Sequence, residues 1–343
     1  MRLAALAAAF LFAFAPSAAA QTPAPPPAQA PGSDSGDQRV TFGVRPATAT
    51  APDNRASLGY SATPGAVVKD FVAVSNIGNN PVTLKIYASD AFNTPEGGFD
   101  LLAAGKPSVD AGAWTHAEMT SVSLSPRSVS IVPFTLTIPA NATPGDHAAG
   151  IVAALTTEQT GVNGQKVAVE QRVGARIYLR VTGDLKPGLS ITGLTGSYAA
   201  TPFGRGDATV SYIVHNTGNT RLSGKQRVSV STPWGSTVDG EALPPVPELL
   251  PGGLVKVTTT VRGLLPAGWL DAAVHVDPVP VLGFTDVVQP AEESVTLSAV
   301  PWAALGVLAA LLLGIFAVRF ARHRRRRTPV APAEEVTEHA AAL

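Results

Sequence analysis

VVKDFVAVS, residues 67–75, decides the fold class. In Val68-Lys69-Asp70-Phe71-Val72-Ala73-Val74 apolar side chains recur at every second position, the period that sends neighbours to opposite faces of a strand. One face of such a strand packs inward and the other meets water. The same period returns in Phe134-Thr135-Leu136-Thr137-Ile138. Residues 82–89, 128–138, 147–155 and 167–181 are further runs rich in Val, Ile, Thr and Tyr, and none keeps a helical period. Between them stand Thr63-Pro64-Gly65, Asn76-Ile77-Gly78-Asn79-Asn80-Pro81 and Thr143-Pro144-Gly145-Asp146, residues that accept positive φ or end a strand. The expected fold is all-β, with alternating strands packed as immunoglobulin-like sandwiches.

A fainter copy of this layout follows in the second half. Val74-Ser75-Asn76-Ile77-Gly78-Asn79 is echoed by Val214-His215-Asn216-Thr217-Gly218-Asn219. Leu124-Ser125-Pro126-Arg127-Ser128-Val129 is echoed by Leu250-Pro251-Gly252-Gly253-Leu254-Val255. Two related sandwiches in tandem is the economical reading. The expected boundary lies at the turn-forming cluster around Gly183, giving one domain over residues 39–183 and a second over 184–298.

The two ends of the chain point to a membrane. Met1 and Arg2 precede an apolar run and then Pro16-Ser17-Ala18-Ala19-Ala20, the layout of a secretory signal peptide over residues 1–20. Residues 21–38 are rich in Pro, Gly and Ser and carry almost no large apolar side chain, which predicts an unfolded linker. Near the other end VPWAALGVLAALLLGIFAV, residues 300–318, contains no charge and matches a bilayer's hydrocarbon thickness, so a transmembrane helix is expected over 299–318. Trp302 marks its outer interface, and Arg319, Arg322, Arg324, Arg325, Arg326 and Arg327 open a basic tail over 319–343. Basic residues stay on the cytoplasmic side, so the body is expected outside the cell membrane on a single-pass anchor. The second domain ends a few residues before the bilayer.

Charge and composition exclude several function classes. The chain has 25 Lys+Arg and 25 Asp+Glu; setting aside Arg2, the six tail arginines and the three tail glutamates leaves a body with 18 basic and 22 acidic residues. That surface has no basic stripe for polyanions, so no nucleic-acid partner is expected. The chain contains no cysteine, which removes disulfides, thiolate metal sites and cysteine nucleophiles together. His116, His147, His215 and His275 stand at no metal-ligand spacing, and no HExxH, GxSxG or Walker-type motif occurs. The expectation is a non-enzymatic protein without cofactor or metal.

Binding residues are sought among aromatics instead. Tyr87, Phe92, Phe99 and Trp114 cluster around the Gly-rich stretch Asn93-Thr94-Pro95-Glu96-Gly97-Gly98, expected to project as a loop, with Asp90 beside them. Sugar rings stack on aromatic faces and loops on a rigid sandwich carry recognition, so these five residues form the candidate glycan or partner site. The alternative for the aromatics is core packing. For Asp90 it is a strand-end carboxylate that accepts hydrogen bonds from the turn beyond it.

Residues 64–102, then Trp114, then SLSPRSVSIVPFTLTIPANATPGDHAAGIVAAL (residues 123–155) and RVGARIYLRVTG (residues 172–183), resemble the peptidoglycan-binding domain of WxL-interacting proteins. The order of signal peptide, two immunoglobulin-like domains, helix and basic tail resembles that family too, in an actinobacterial-type form. The resemblance implies a Gram-positive cell-surface protein whose first domain contacts peptidoglycan, with a WxL-type surface protein as further partner. The alternative function is a protein–protein scaffold or assembly factor with no glycan contact.

Overall fold

The computed structural model describes residues 40–160, 165–201, 204–281 and 288–325. The expected signal peptide, the Pro-rich linker, and Arg326 and Arg327 with the rest of the tail lie outside the described residues. Residues 40 to 181 form eleven of the elements after which all others are placed: β1 (Phe42–Ala47), β2 (Leu58–Ala62), β3 (Val67–Asn76), β4 (Val82–Asn93), β5 (Phe99–Leu101), the one-turn α1 (Ala111–Trp114), β6 (Thr115–Ala117), β7 (Ser121–Leu124), β8 (Val129–Thr137), β9 (Gly145–Thr160) and β10 (Lys166–Val181). One sheet runs β1-β3-β8-β6 and the facing sheet β2-β10-β9-β4-β5, with β7 pairing the start of β4. Every pairing is antiparallel except the parallel one between β2 and β10.

Alternation explains the packing. Val72 and Val74 of β3, Phe134 and Leu136 of β8, and Ile151, Ile177 and Leu179 of the facing sheet close one dry core. Asp70 shares the inward parity of Val68 and Val72, yet it sits at the rim, where Arg55 Nη1 and the Tyr60 hydroxyl each donate to it at 2.6 Å and the Phe71 amide at 2.8 Å. Burial pushes this carboxyl up, but the Arg55 and Tyr60 bonds win and hold it below the usual carboxylate range.

The second half repeats the plan in β11 (Leu189–Ala199), β12 (Gly206–Asn216), β13 (Leu222–Ser231), β14 (Thr237–Asp239), β15 (Val246–Leu249), β16 (Leu254–Leu264), β17 (Gly268–Pro280) and β18 (Ala291–Ala299). Its sheets run β11-β12-β16 and β14-β13-β17-β18, with β15 pairing β13. Val210, Val230, Leu270 and Val274 fill its core. Tyr212 crosses that core to donate to Gln226 Oε1 at 2.7 Å, and burial pushes its phenol up to about 12.

The echo read in the sequence is one structural device used twice. Asn76 Nδ2 donates to the Asn80, Leu124 and Ser125 carbonyls, while its Oδ1 accepts the Gly78 amide at 3.0 Å. Asn216 Nδ2 donates to the Thr220 and Leu249 carbonyls and its Oδ1 accepts the Gly218 amide at 3.0 Å. Each asparagine ends a strand by tying its own turn to a neighbouring one. The second echo is displaced by one residue from the sequence reading. Ser128 N bonds Ser125 O as Gly253 N bonds Leu250 O, and left-handed Arg127 (φ 56°) corresponds to Gly252 (φ 73°).

The chain is therefore all-β, two tandem immunoglobulin-like sandwiches, followed by α2 (Trp302–Arg325). That helix of 24 residues is about 36 Å long at 1.5 Å per residue, and among the described residues it alone is long and apolar enough to cross a membrane. It starts later than residue 299 because Pro301 lacks an amide and biases Val300 to extended backbone. It also runs on through Arg319, Arg322, Arg324 and Arg325.

Candidate partner-docking surface

The two sandwiches meet through a buried charged cluster. β10 reads Arg172, Arg176 and Arg180 on its outward face, between the inward Ala175, Ile177 and Leu179. Arg180 Nε and Nη2 donate to the two carboxylate oxygens of Asp146, which starts β9, at 2.7 and 2.8 Å. The Arg221 amide of the second sandwich donates to Asp146 Oδ2 at 2.7 Å, and Arg221 Nη1 donates to Glu248 at 2.7 Å. Its guanidinium lies 3.8 Å above the Tyr178 ring, a cation–π contact away from water. Ala148, Tyr178 and Leu250 make a small apolar centre here. Asn219 Nδ2 donates to the carbonyls of Pro144 and Asp184, and the Asp146 amide donates to Asn219 O at 2.7 Å.

The stretch expected to project as a loop is part of this junction. Asn93 Nδ2 donates to Glu248 O and its Oδ1 accepts the Leu250 amide, while the Lys256 amide donates to Pro95 O. Gly97 makes the approach possible: at φ 81° it has no Cβ, and one there would overlap Pro247.

The five residues taken as the candidate site are dispersed by this architecture. Phe99 lies edge-on to Tyr178 at 6.0 Å with Arg176 over its ring, inside the junction. Trp114 packs on the first core, 4.9 Å from the His147 ring. Tyr87 is half-buried, and burial raises its phenol. Phe92 stands 39% exposed with no aromatic partner among the described residues. Among the described residues these four rings make no contact with one another.

Asp90 proves to be the strand-end carboxylate of the blander reading. Its Oδ2 accepts the Val109 and Asp110 amides at 2.6 and 2.9 Å and its Oδ1 accepts the Gly112 amide at 2.6 Å, fixing the turn into α1. Asp90→Ala leaves three amides without their charged acceptor and is expected to lower stability by at least about 3 kcal/mol. The urea midpoint of the detergent-solubilised chain measures this, and an unchanged midpoint contradicts the assignment.

His147 follows Asp146 and is held by Asp110 Oδ1 on Nδ1 at 2.6 Å and by Thr143 O on Nε2 at 2.9 Å. Burial pushes the imidazole down, but Asp110, the Thr143 carbonyl and the charge of Asp146 together raise its pKa above 6.5. A raised folded pKa gives stability that is complete below the unfolded value and lost as pH rises through the folded one. The melting temperature of the native chain relative to His147→Gln is therefore expected to fall from pH 5.5 to pH 9. A pH-independent difference refutes the pairing. His275 has both ring nitrogens engaged, Nδ1 with Glu292 at 2.7 Å and Nε2 with Asp277 at 2.8 Å, so neither is left to act as a base. Among the described residues no group of three His, Asp or Glu is arranged to hold a metal ion.

What remains open is an edge. β9 pairs β10 along its whole length, but β2 covers the other side of β10 only from Ile177 to Val181. Among the described residues no strand pairs that side of residues 166–176. Val167, Val169 and Val173 continue the inward parity of Ile177 past the end of the core, so Val167 is 49% and Val173 36% exposed. Beside this edge Val44 and Arg45 of β1, Arg55, Ala175, Arg176 and Glu248 line a cleft of about 360 Å³. Sequence reasoning missed the edge because an edge strand and a central one share the same alternation. The arginines at 176 and 180, both on the polar parity, were the readable signal for the junction.

Fold and surface together define a tandem β-sandwich protein with one helix fit to cross a membrane. No family model and no curated protein matches the chain. Solved structures of related shape include the class 5 fimbriae chaperone CfaA, at 11% identity over 74% of this chain and 98% of its own with a TM-score of 0.33. The chaperone–tip adhesion subunit complex CsuC–CsuE of Acinetobacter baumannii aligns at 11% over 75% and 98%, TM-score 0.34. The CupB2 chaperone of Pseudomonas aeruginosa aligns at 10% over 72% and 98%, TM-score 0.29. Scores of this size carry no argument about function.

The resemblance to WxL-interacting proteins is corrected on these findings. No family model matches, and the solved structures of related shape include fimbrial chaperones. The peptidoglycan contact, the WxL-type partner and the Gram-positive wall fall with it. The alternating strands and Pro-Gly turns that carried the resemblance are needed by any sandwich, and Trp114 and Phe99 serve the core and the junction.

Proposed function

We propose that the chain is a non-enzymatic, membrane-anchored docking protein that receives an extended segment of a partner protein on the free edge of β10. The observation that carries this is the unpaired side of residues 166–176 with Val167 and Val173 uncovered beside it. An added strand gains main-chain hydrogen bonds from the edge and buries alternate apolar side chains on these valines. The cleft with Arg45 and Arg176 receives polar groups of the same segment. In this reading the signal peptide is removed after Ala20, residues 39–183 form the docking domain, residues 184–298 the second domain, and α2 the anchor. The arginines from Arg319 onward keep the C-terminus cytoplasmic and the sandwiches on the far side of the membrane.

A photo-crosslinking amino acid at Val173 in the full chain, expressed in its own cells, is expected to trap a protein partner. The same group at Val109, which is 85% exposed, is expected to trap none. An absence of adducts specific to position 173 overturns the reading.

A further inference from the structure

Three of the chain's four tryptophans belong to one end of the second sandwich or to the helix that leaves it. The register fixes this placement. Ser231 of β13 pairs with Asp271 of β17 and Thr237 of β14, so the turn carrying Trp234 runs off the sheet where β17 begins. Trp269 lies two residues before Asp271 and pairs with Ser298 of β18, and Gly268 pairs with Ala299. On the other sheet β16 ends at Leu264, paired with Gly206, and Leu265 follows it. Trp234 is 63%, Trp269 54% and Leu265 48% exposed. The junction with the first sandwich is made at the opposite end, through Asn219, Arg221 and Leu250.

Only Val300 and Pro301 separate β18 from Trp302, the first residue of α2. Three extended steps of chain from Ala299 span at most about 11 Å, so the end that carries Trp234, Leu265 and Trp269 cannot stand far from the membrane surface. Tryptophan is the side chain that favours the layer between water and hydrocarbon, where its ring is buried and its N–H stays wet. We propose that this end of the second sandwich is a bilayer-docking surface, with Trp234, Leu265 and Trp269 seated in the interfacial layer of the membrane that α2 crosses. The inference rests on the anchor reading of α2. Docking at three points beside the tether holds the sandwich upright, and β13 alone, 10 residues long, then keeps the junction about 30 Å above the surface. The contact is apolar. Arg262 is paired with Glu241 and Arg205 donates to the Gly263 carbonyl, so seating is expected in neutral lipid.

The absence of cysteine permits single-site labelling of the whole chain. Nitroxides are placed at Leu265→Cys, Leu312→Cys in α2 and Val109→Cys, each in full-length protein in phosphatidylcholine vesicles, and their accessibilities to oxygen and to a water-soluble nickel complex are compared. The labels at 265 and 312 are expected to favour oxygen several-fold over the nickel complex, and the label at 109 the reverse. Trp234→Ser with Trp269→Ser is expected to return the label at 265 to the level of 109 while leaving 312 in lipid. A label at 312 in lipid with 265 as aqueous as 109 overturns the docking surface and spares the anchor. An aqueous label at 312 overturns both. A label at 265 unmoved by the double substitution also overturns the docking surface, because the tether alone then accounts for its depth.

Discussion

Gly145→Ala is expected to unseat the second sandwich from the first. Gly145 opens β9 at φ 129°, in the region that side chains avoid, and a Cβ there would overlap the carbonyl oxygen of Asn219. That carbonyl is the acceptor for the next amide, Asp146 N, so the obstruction falls on the contact that carries the junction. Moving Asn219 aside also moves the Arg221 amide, donor to Asp146 at 2.7 Å. The Asp146 side chain is 2% exposed; it keeps Arg180 in its own sandwich, and Arg221 keeps Glu248, so the displacement removes the Arg221 amide from a buried carboxylate. Losing a hydrogen bond to a charged group costs on the order of 1.5–3 kcal/mol. Two further glycines face the same constraint, Gly97 against Pro247 and Gly253 against Asn93, which argues that the close approach is general. The measurements are the urea midpoint, the small-angle scattering radius in detergent, and tryptic cleavage after Lys186 in the connection between the sandwiches. An unchanged midpoint together with unchanged scattering means that the junction does not depend on Asp146 as described.

How far the sequence reaches is plain from particular residues. Strand periods at 67–75 and 167–181 are legible because each residue's parity decides whether it meets the core or water, and the observed β3 and β10 differ from the expected runs by a residue. The Asn76 and Asn216 echo is legible because a single side chain must cap both its own turn and a neighbour's. Asp70 looks like a break in the alternation until Arg55 and Tyr60 are seen around it, fifteen and ten residues away in sequence. The role of the aromatics is not legible, for a different reason. A ring that packs a core, a ring that seals a junction and a ring that awaits a sugar have the same composition and spacing, and only the neighbours contributed by distant strands separate them. Phe99 meets Tyr178, and Trp114 meets His147. The free edge of β10 is invisible for the same reason, since which strand lies beside which is a property of topology.

Val167→Lys combined with Val173→Lys is expected to abolish capture of the partner while leaving the protein folded. Both valines lie beyond the closed core, at 49% and 36% exposure, so each lysine extends into water and the cost to stability stays within about 0.5 kcal/mol per site. For an incoming strand the same positions are the ones its alternate side chains must cover. Each ammonium has to be stripped of water or pushed aside, and lysines on an edge strand are the ordinary means by which sheets refuse a further strand. A loss of roughly 100-fold in affinity, about 2.7 kcal/mol, is the expected size. Crosslinking from a photoreactive group at Gln171, exposed on the same edge, reads it, with urea unfolding as the control for folding and Val109→Lys as the control for charge. The junction is the second comparison. If Gly145→Ala abolishes capture and the two lysines do not, the partner binds across the sandwiches through the cleft of Arg45, Arg176 and Glu248, and strand addition at β10 is wrong. If the lysines act alone, the edge is the site, and the junction serves to hold that edge at a fixed height above the membrane.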